Sequence, residues 1–408
     1  MNTSPLMLTI KDNELLGVAN RSDAMGVLAV WSVRGRDLVP HLTEQTTNVR
    51  GFQILVEAFR LWELYEPNHP KHAGRLDDFF LLIEQAFART VAWHDKDWAL
   101  PGARRVRARS HEVPQISLVD HSWHLLDSQK DNGLWGLYRG ASQRSGLLNE
   151  KMTQLSSATM EKATFHAGIE VTAQNRLFEL VTQAMDGKTV ALPTNLGNKL
   201  TADLYNTYWN IPLVNHLKTQ LIDGHDLNRF LAERLLDIEE LDHRTFLSTV
   251  KDLHEHKATI EDTIRCENLL AVVEAIFLWL CASKGKTLKA AVADMPVNLK
   301  NIESARKAFS HSGHYRGETA RARFERFQQE IDTTSRIALA QSVISLHDAV
   351  SEERGRSPWI WEDQGVMFSD VDIERPSQDA FQVGLAWRND YYLKPLQSIA
   401  GQISEAIQ

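Results

Sequence analysis

Apolar residues return at helical spacing along most of this chain, and that period restricts it to a fold built mainly from helices. Residues 52–66 place Leu55, Ala58, Phe59, Trp62 and Tyr65 on one face, with Thr46, Thr47 and Asn48 as capping candidates just ahead. Residues 76–92 repeat the pattern with Leu76, Phe79, Phe80, Ile83, Phe87 and Val91. Asp77 and Asp78 fall in the first turn, where the helix dipole favours acids. The same period predicts helices over 147–163, 166–185, 199–209, 213–221, 227–241, 244–256, 259–282, 286–293, 298–310 and 318–351.

Two stretches depart from the rhythm. Residues 100–146 hold a basic segment, a short helix within 119–129, and a glycine- and aromatic-rich run at 132–146 that reads as irregular. After about residue 354 the period changes to two, which predicts a hairpin turning at Asp363-Gln364-Gly365. A last amphipathic helix follows, with Leu393, Leu396, Ile399, Ala400, Ile403 and Ile407 as its stripe. A lone hairpin is marginal in water, so residues 358–407 are expected to pack back onto the helical body. The expected fold is mainly α, a multi-helix chain in two or three lobes, with a small C-terminal β-hairpin and short strands near the N-terminus. The expected lobes are 1–146, 147–353 and 354–408.

Composition narrows the function classes. Apolar residues make up 43% and charged residues 24%, which a packed core needs and a disordered chain lacks. A net charge of -8 argues against a generally basic nucleic-acid coat and leaves room for a local basic patch. The two cysteines, Cys266 and Cys281, form neither a disulfide framework nor a zinc pattern, which fits a reducing compartment. The first residues lack a secretory pattern. The most apolar run, Leu269 to Cys281, is interrupted by Glu274 and falls short of the ~20 residues a span needs. The chain is therefore expected to be cytoplasmic, with no membrane partner, cofactor or metal.

Several motif fragments fail on chemistry. Gly187-Lys188-Thr189 and Gly285-Lys286-Thr287 end like a phosphate-binding loop, but Thr182 and Leu280 stand where its leading glycine belongs. Histidines three apart recur at His69 and His72, His121 and His124, and His311 and His314, and His254 and His256 flank Glu255. None comes with the carboxylates of a His-Glu-x-x-His set, so they read as polar surface histidines. His94-Asp95, His225-Asp226 and His347-Asp348 lack the second pair that a metal phosphohydrolase needs. No serine sits in a Gly-x-Ser-x-Gly elbow.

The strongest local signal is Arg104, Arg105, Arg107 and Arg109, followed by His111. Four arginines in six positions of an acidic chain make an electropositive spot, and guanidinium forks suit phosphate. Trp98, Trp123 and Trp135 lie near in sequence and are candidates for stacking on bases. The bland alternatives are a protein contact or a solvated, salt-bridged loop. Charge is also uneven elsewhere: residues 223–274 hold thirteen acids against six bases, and residues 283–326 hold ten bases against four acids.

Two resemblances add to this reading. The segment from Arg306 to His311 resembles the arginine–histidine motif of HEPN ribonucleases, helical proteins in which the two residues act at a dimer seam. That resemblance implies His311 as acid or base and Arg306 as a phosphate holder. Residues 27–52, 354–368 and 387–400 resemble, in order and character, segments of uncharacterised helical proteins from bacterial anti-phage defence islands. This second resemblance supplies no catalytic motif. It implies a subunit that works beside other proteins encoded nearby. The expected function is a non-enzymatic subunit of such a complex contacting DNA or a partner enzyme. The alternatives are a metal-independent HEPN-like ribonuclease and a structural adaptor.

Overall fold

The computed structural model describes residues 23–253, 255–309 and 318–408. The fold is mainly α, and its strands form two small antiparallel pairs among the described residues. The chain divides into two compact units. One comprises the residues up to Leu38 together with Glu240–Tyr391, and the other comprises Val39–Glu239 together with Tyr392–Gln408. The hairpin belongs to the first of these units and the last helix to the second.

The unit holding Glu240–Tyr391 is built around the helix Lys257–Cys281, which is buried through most of its length from Ile260 onward. Helices Leu28–Leu38, Leu299–Ala308 and Arg336–Glu353 pack against it. Cys266 and Cys281 are buried on this helix as free thiols. Glu267 on the same helix is fully buried and accepts hydrogen bonds from Asn389 N at 3.1 Å, Asn389 Nδ2 at 2.9 Å and the Tyr391 hydroxyl at 2.7 Å, and one from Arg388 N.

The hairpin pairs Ile360 with Ser369 and Asp363 with Val366 around a two-residue turn. Gln364 and Gly365 both take positive φ, 48° and 82°, as a primed turn requires. Ile360 and Met367 face inward, while Trp361 and Phe368 stack across the strands on the outer side. Met367 exchanges backbone hydrogen bonds with Gly285 and Lys286 at 2.8 and 2.9 Å, which gives the hairpin its support. His347 is fully buried next to it. Its Nε2 accepts the Trp359 N–H at 2.7 Å, so Nδ1 carries the proton and donates to the Ala24 carbonyl at 2.8 Å.

In the other unit the helices Val49–Tyr65 and Leu76–His94 form the aromatic core, joined by Leu134–Arg144, Val171–Met185 and Lys199–Asn210. Asn48 caps the first by accepting from Arg50 N at 3.0 Å. The last helix, Leu393–Ile407, packs on Val214–Lys218 and Asp226–Leu235 and buries Leu393, Leu396, Ile399, Ala400 and Ile403. Ile407 stays largely exposed.

Some expected elements are corrected. Residues 134–144, read as irregular, are helical. Glycine obscured a buried stripe of Leu134, Trp135, Tyr138 and Ala141. Gly136 is there for space, since a Cβ on it would sit 1.9 Å from the Asp131 carbonyl oxygen. The single helix expected over 318–351 is two, Glu318–Gln329 and Arg336–Glu353, because Ser335 caps the second through Ala338 N. The helices expected over 147–163 and 166–185 begin later, at Ser157 and Val171. The pair Gln115–Ile116 with Val190–Ala191 had no sequence signal.

Candidate functional site

The helix Leu76–His94 provides the frame for the arginine-rich segment. Gln85 lies on it, buried, and holds Ser117 by two hydrogen bonds: it accepts from Ser117 N at 2.9 Å and donates to Ser117 O at 3.1 Å. Glu84 accepts from Gln129 Nε2 at 2.8 Å and from Leu134 N at 2.9 Å. Burial pushes its carboxyl up to about 7. These contacts pin both ends of the loop that carries Trp123. The Ser117 hydroxyl and the Asp120 carboxylate close the local turns by accepting from Asp120 N and Ser122 N.

The arginines lie on and just after a short helix, Ala103–Ala108. Gly102 precedes it with φ of 83°, where a Cβ would come within 2.6 Å of the Leu125 carbonyl oxygen. Val106 is buried and anchors the helix, which turns Arg104 and Arg107 to solvent. Neither has a carboxylate partner among the described residues. Arg105 contacts Asp127 at 2.7 Å, on the surface. Arg109 grips both oxygens of Glu112 at 2.6 and 2.9 Å, donates to the Ser122 carbonyl at 2.7 Å and lies 3.8 Å from the centre of the Trp123 ring. The Arg109 fork holds the Glu112 carboxyl below its usual range.

The four arginines therefore differ. Arg104 and Arg107 are open to a partner, Arg105 is held by one surface contact, and Arg109 is built into the fold. The rings of His121 and His124 lie 4.6 Å apart beside them. Burial, then the neighbouring His121, keeps His124 below the ordinary imidazole value.

Sequence reasoning missed Arg89. It lies on the core helix Leu76–His94 and is 3% exposed. Its Nη2 donates to the Trp123 carbonyl at 3.0 Å, and its guanidinium is 5.2 Å from the Trp123 ring centre. Its Nε and Nη1 are buried with no hydrogen-bond partner among the described residues. Burial first, then Arg109 and Arg105, push its guanidinium down to about 10. The available signal was a long cationic side chain in a run, Phe79 to Ala92, in which ten of fourteen residues are apolar.

Other expected site features resolve differently. Trp98, Trp123 and Trp135 are buried, so they offer no open face for bases. Trp98 stacks on Tyr208 and Trp135 on Phe59. Arg306 grips both oxygens of Glu303 at 2.8 Å and donates to the Gln328 carbonyl at 2.7 Å. His311 and His314 lie outside the described residues, as does His254. His72 is buried in a chain of bonds from Asp186 to the Tyr65 hydroxyl, and His347 is committed to backbone on both nitrogens. Among the described residues no three His, Cys, Asp or Glu side chains gather as a metal ion would need, and no helix is long and apolar enough to cross a membrane. In comparisons with known proteins, no family model, curated protein or solved structure matches this chain.

Proposed function

We propose that the protein is a non-enzymatic, cytoplasmic subunit of a bacterial anti-phage defence complex that contacts nucleic acid through the arginine face at residues 104–109. The observation that carries the nucleic-acid part is the exposure of Arg104 and Arg107, which have no carboxylate partner among the described residues, next to Arg105. Exposed ion pairs such as Arg105 to Asp127 are weak, so a phosphate competes with the carboxylate on good terms. The net charge of -8 argues against a generally basic binding coat, so a local cationic face is what a nucleic acid would meet. The resemblance of residues 27–52, 354–368 and 387–400 supports the assembly part. Arg306, bound to Glu303 and Gln328, has little left to offer a phosphate, which favours a binding role over the ribonuclease alternative.

The test is the salt dependence of oligonucleotide binding by the pure protein. The parent should bind at low salt, and the combined Arg104→Ala and Arg107→Ala variant should bind more weakly. Its log–log salt slope should be shallower by about 1.5, from two lost phosphate contacts. Absence of binding by the parent, or an unchanged slope in the variant, contradicts the proposal.

A further inference from the structure

We propose that the outer face of the helix Ser157–Phe165 is a contact between two copies of this chain, related by a two-fold axis. The contact is separate from the arginine face and concerns how the protein pairs with itself.

The helix uses one side to join the fold. Thr159 and Ala163 are buried where it packs on Val49–Tyr65, and the Thr159 hydroxyl lies 3.0 Å from His216 Nε2. The other side is set by spacing. Ser157, Met160, Glu161, Thr164 and Phe165 follow at i, i+3, i+4, i+7 and i+8, which is one face of a helix. All five line a solvent-open cavity of 860 Å³. Leu155 and Glu63 line it as well. The Glu63 carboxylate accepts from Leu155 N at 3.1 Å, which fixes that part of the wall to the helix Val49–Tyr65. At the end of the same face Phe165 is 82% exposed, more than any other large apolar side chain among the described residues. A single exposed apolar residue is ordinary surface. A projecting ring beside a recess lined by Leu155 and Met160 gives one patch both halves of a packed contact.

Two features favour a second copy as the occupant. The first is shape. A two-fold contact uses the same patch on both molecules, so the patch must fit itself. With the axis perpendicular to the helix, the two helices run antiparallel. Each Phe165 then approaches the Ser157 end of the other helix, where a small side chain borders the cavity. The second is charge. Glu161 and Lys162 both line the cavity and form an exposed pair at 3.5 Å, which is weak and easily exchanged. Antiparallel pairing sets each carboxylate against the other copy's ammonium. The size of the patch limits the strength. Nine residues at about 1.5 Å each make a helix about 13 Å long. That falls short of the about 800 Å² a side of a standard interface, so the dimer is weak, with a Kd of micromolar order or above.

The experiment is sedimentation velocity of the full chain from about 1 to about 500 µM, a range that spans micromolar Kd values. The parent's sedimentation coefficient should rise with concentration toward that of a dimer. Phe165→Ala, a change at an exposed position, should raise the dimer Kd by about tenfold or more, as loss of an aromatic anchor does. Glu161→Lys places like charges across the contact and should weaken the dimer too. Adding Lys162→Glu to it exchanges the two charges and should restore pairing, which a general loss of solubility or fold would not do. A parent that stays monomeric throughout overturns the proposal, even if this face captures a different protein. A dimer undiminished in Phe165→Ala or in Glu161→Lys, or one that the charge exchange does not restore, overturns it as well.

Discussion

Arg60 and Arg89 occupy adjacent core helices of the same unit, and each is 3% exposed. Arg60 is saturated. It holds both oxygens of Glu57 at 2.7 and 3.0 Å, donates to the Ile169 carbonyl at 3.2 Å and reaches Gln174 at 3.3 Å. Glu57 in turn accepts from Ile169 N at 3.2 Å, so the pair ties the segment ahead of the helix Val171–Met185 to the core. Arg89 makes one hydrogen bond, to the Trp123 carbonyl. The residue type and burial are the same, and the completeness is opposite. A buried charge whose partners come from its own chain is part of the architecture. A buried charge whose donors stay unpaired among the described residues is a cost that the rest of the core must offset.

The contrast can be broken by mutation. Arg60→Met leaves the Glu57 carboxylate buried and unpaired, and the expected loss of stability is about 3–5 kcal/mol by chemical denaturation. A much smaller loss would mean that the bidentate pair is not what holds Ile169.

His347→Phe extends the comparison to a second saturated basic group. It strands the Ala24 carbonyl and the Trp359 N–H and should cost about 1–3 kcal/mol. Burial holds the His347 imidazole below its ordinary value, so the unfolded chain takes up a proton more readily than the folded one. Its contribution is therefore whole above about pH 6.5 and is lost as pH falls below that toward the depressed folded value. The acid-side slope of stability against pH should flatten in His347→Phe, and an unchanged slope would show that His347 is not the group responsible.

Arg89→Met removes an uncompensated buried charge of similar volume. Its stability should lie within about 1 kcal/mol of the parent. A loss as large as that of Arg60→Met would place Arg89 with the structural charges and erase the distinction. The Arg104→Ala and Arg107→Ala variant should change stability least, by under about 0.5 kcal/mol, because both side chains are exposed and make no ion pair among the described residues.

Much of the fold was legible because helical period is a local property. The cores of Val49–Tyr65, Leu76–His94, Lys257–Cys281 and Leu393–Ile407 follow from spacing alone, and the hairpin from alternation plus Gln364-Gly365. What failed depended on distant partners. Residues 134–144 looked irregular because their helix starts at a backbone N–H bound by Glu84, fifty residues away. The candidate site was legible as a cluster, since Arg104, Arg105, Arg107 and Arg109 fall within six positions. Which arginine is free, which is spent, and that Arg89 joins them are set by Asp127, Glu112, Ser122 and Trp123 folding over the helix Leu76–His94. The tryptophans misled for the same reason: composition counts aromatic rings without saying which side of the fold they face.

The most direct test of the contrast is to watch the two guanidinium groups at once. Nitrogen-15 arginine side-chain NMR resolves the Nε–H signals, with Arg89→Met and Arg60→Lys supplying the assignments, and the exchange of each Nε–H with solvent is followed. The Arg60 Nε–H, bound to Glu57, should exchange more slowly than the Arg89 Nε–H, which has no acceptor among the described residues. Equal exchange at the two sites, or slower exchange at Arg89, would contradict the contrast.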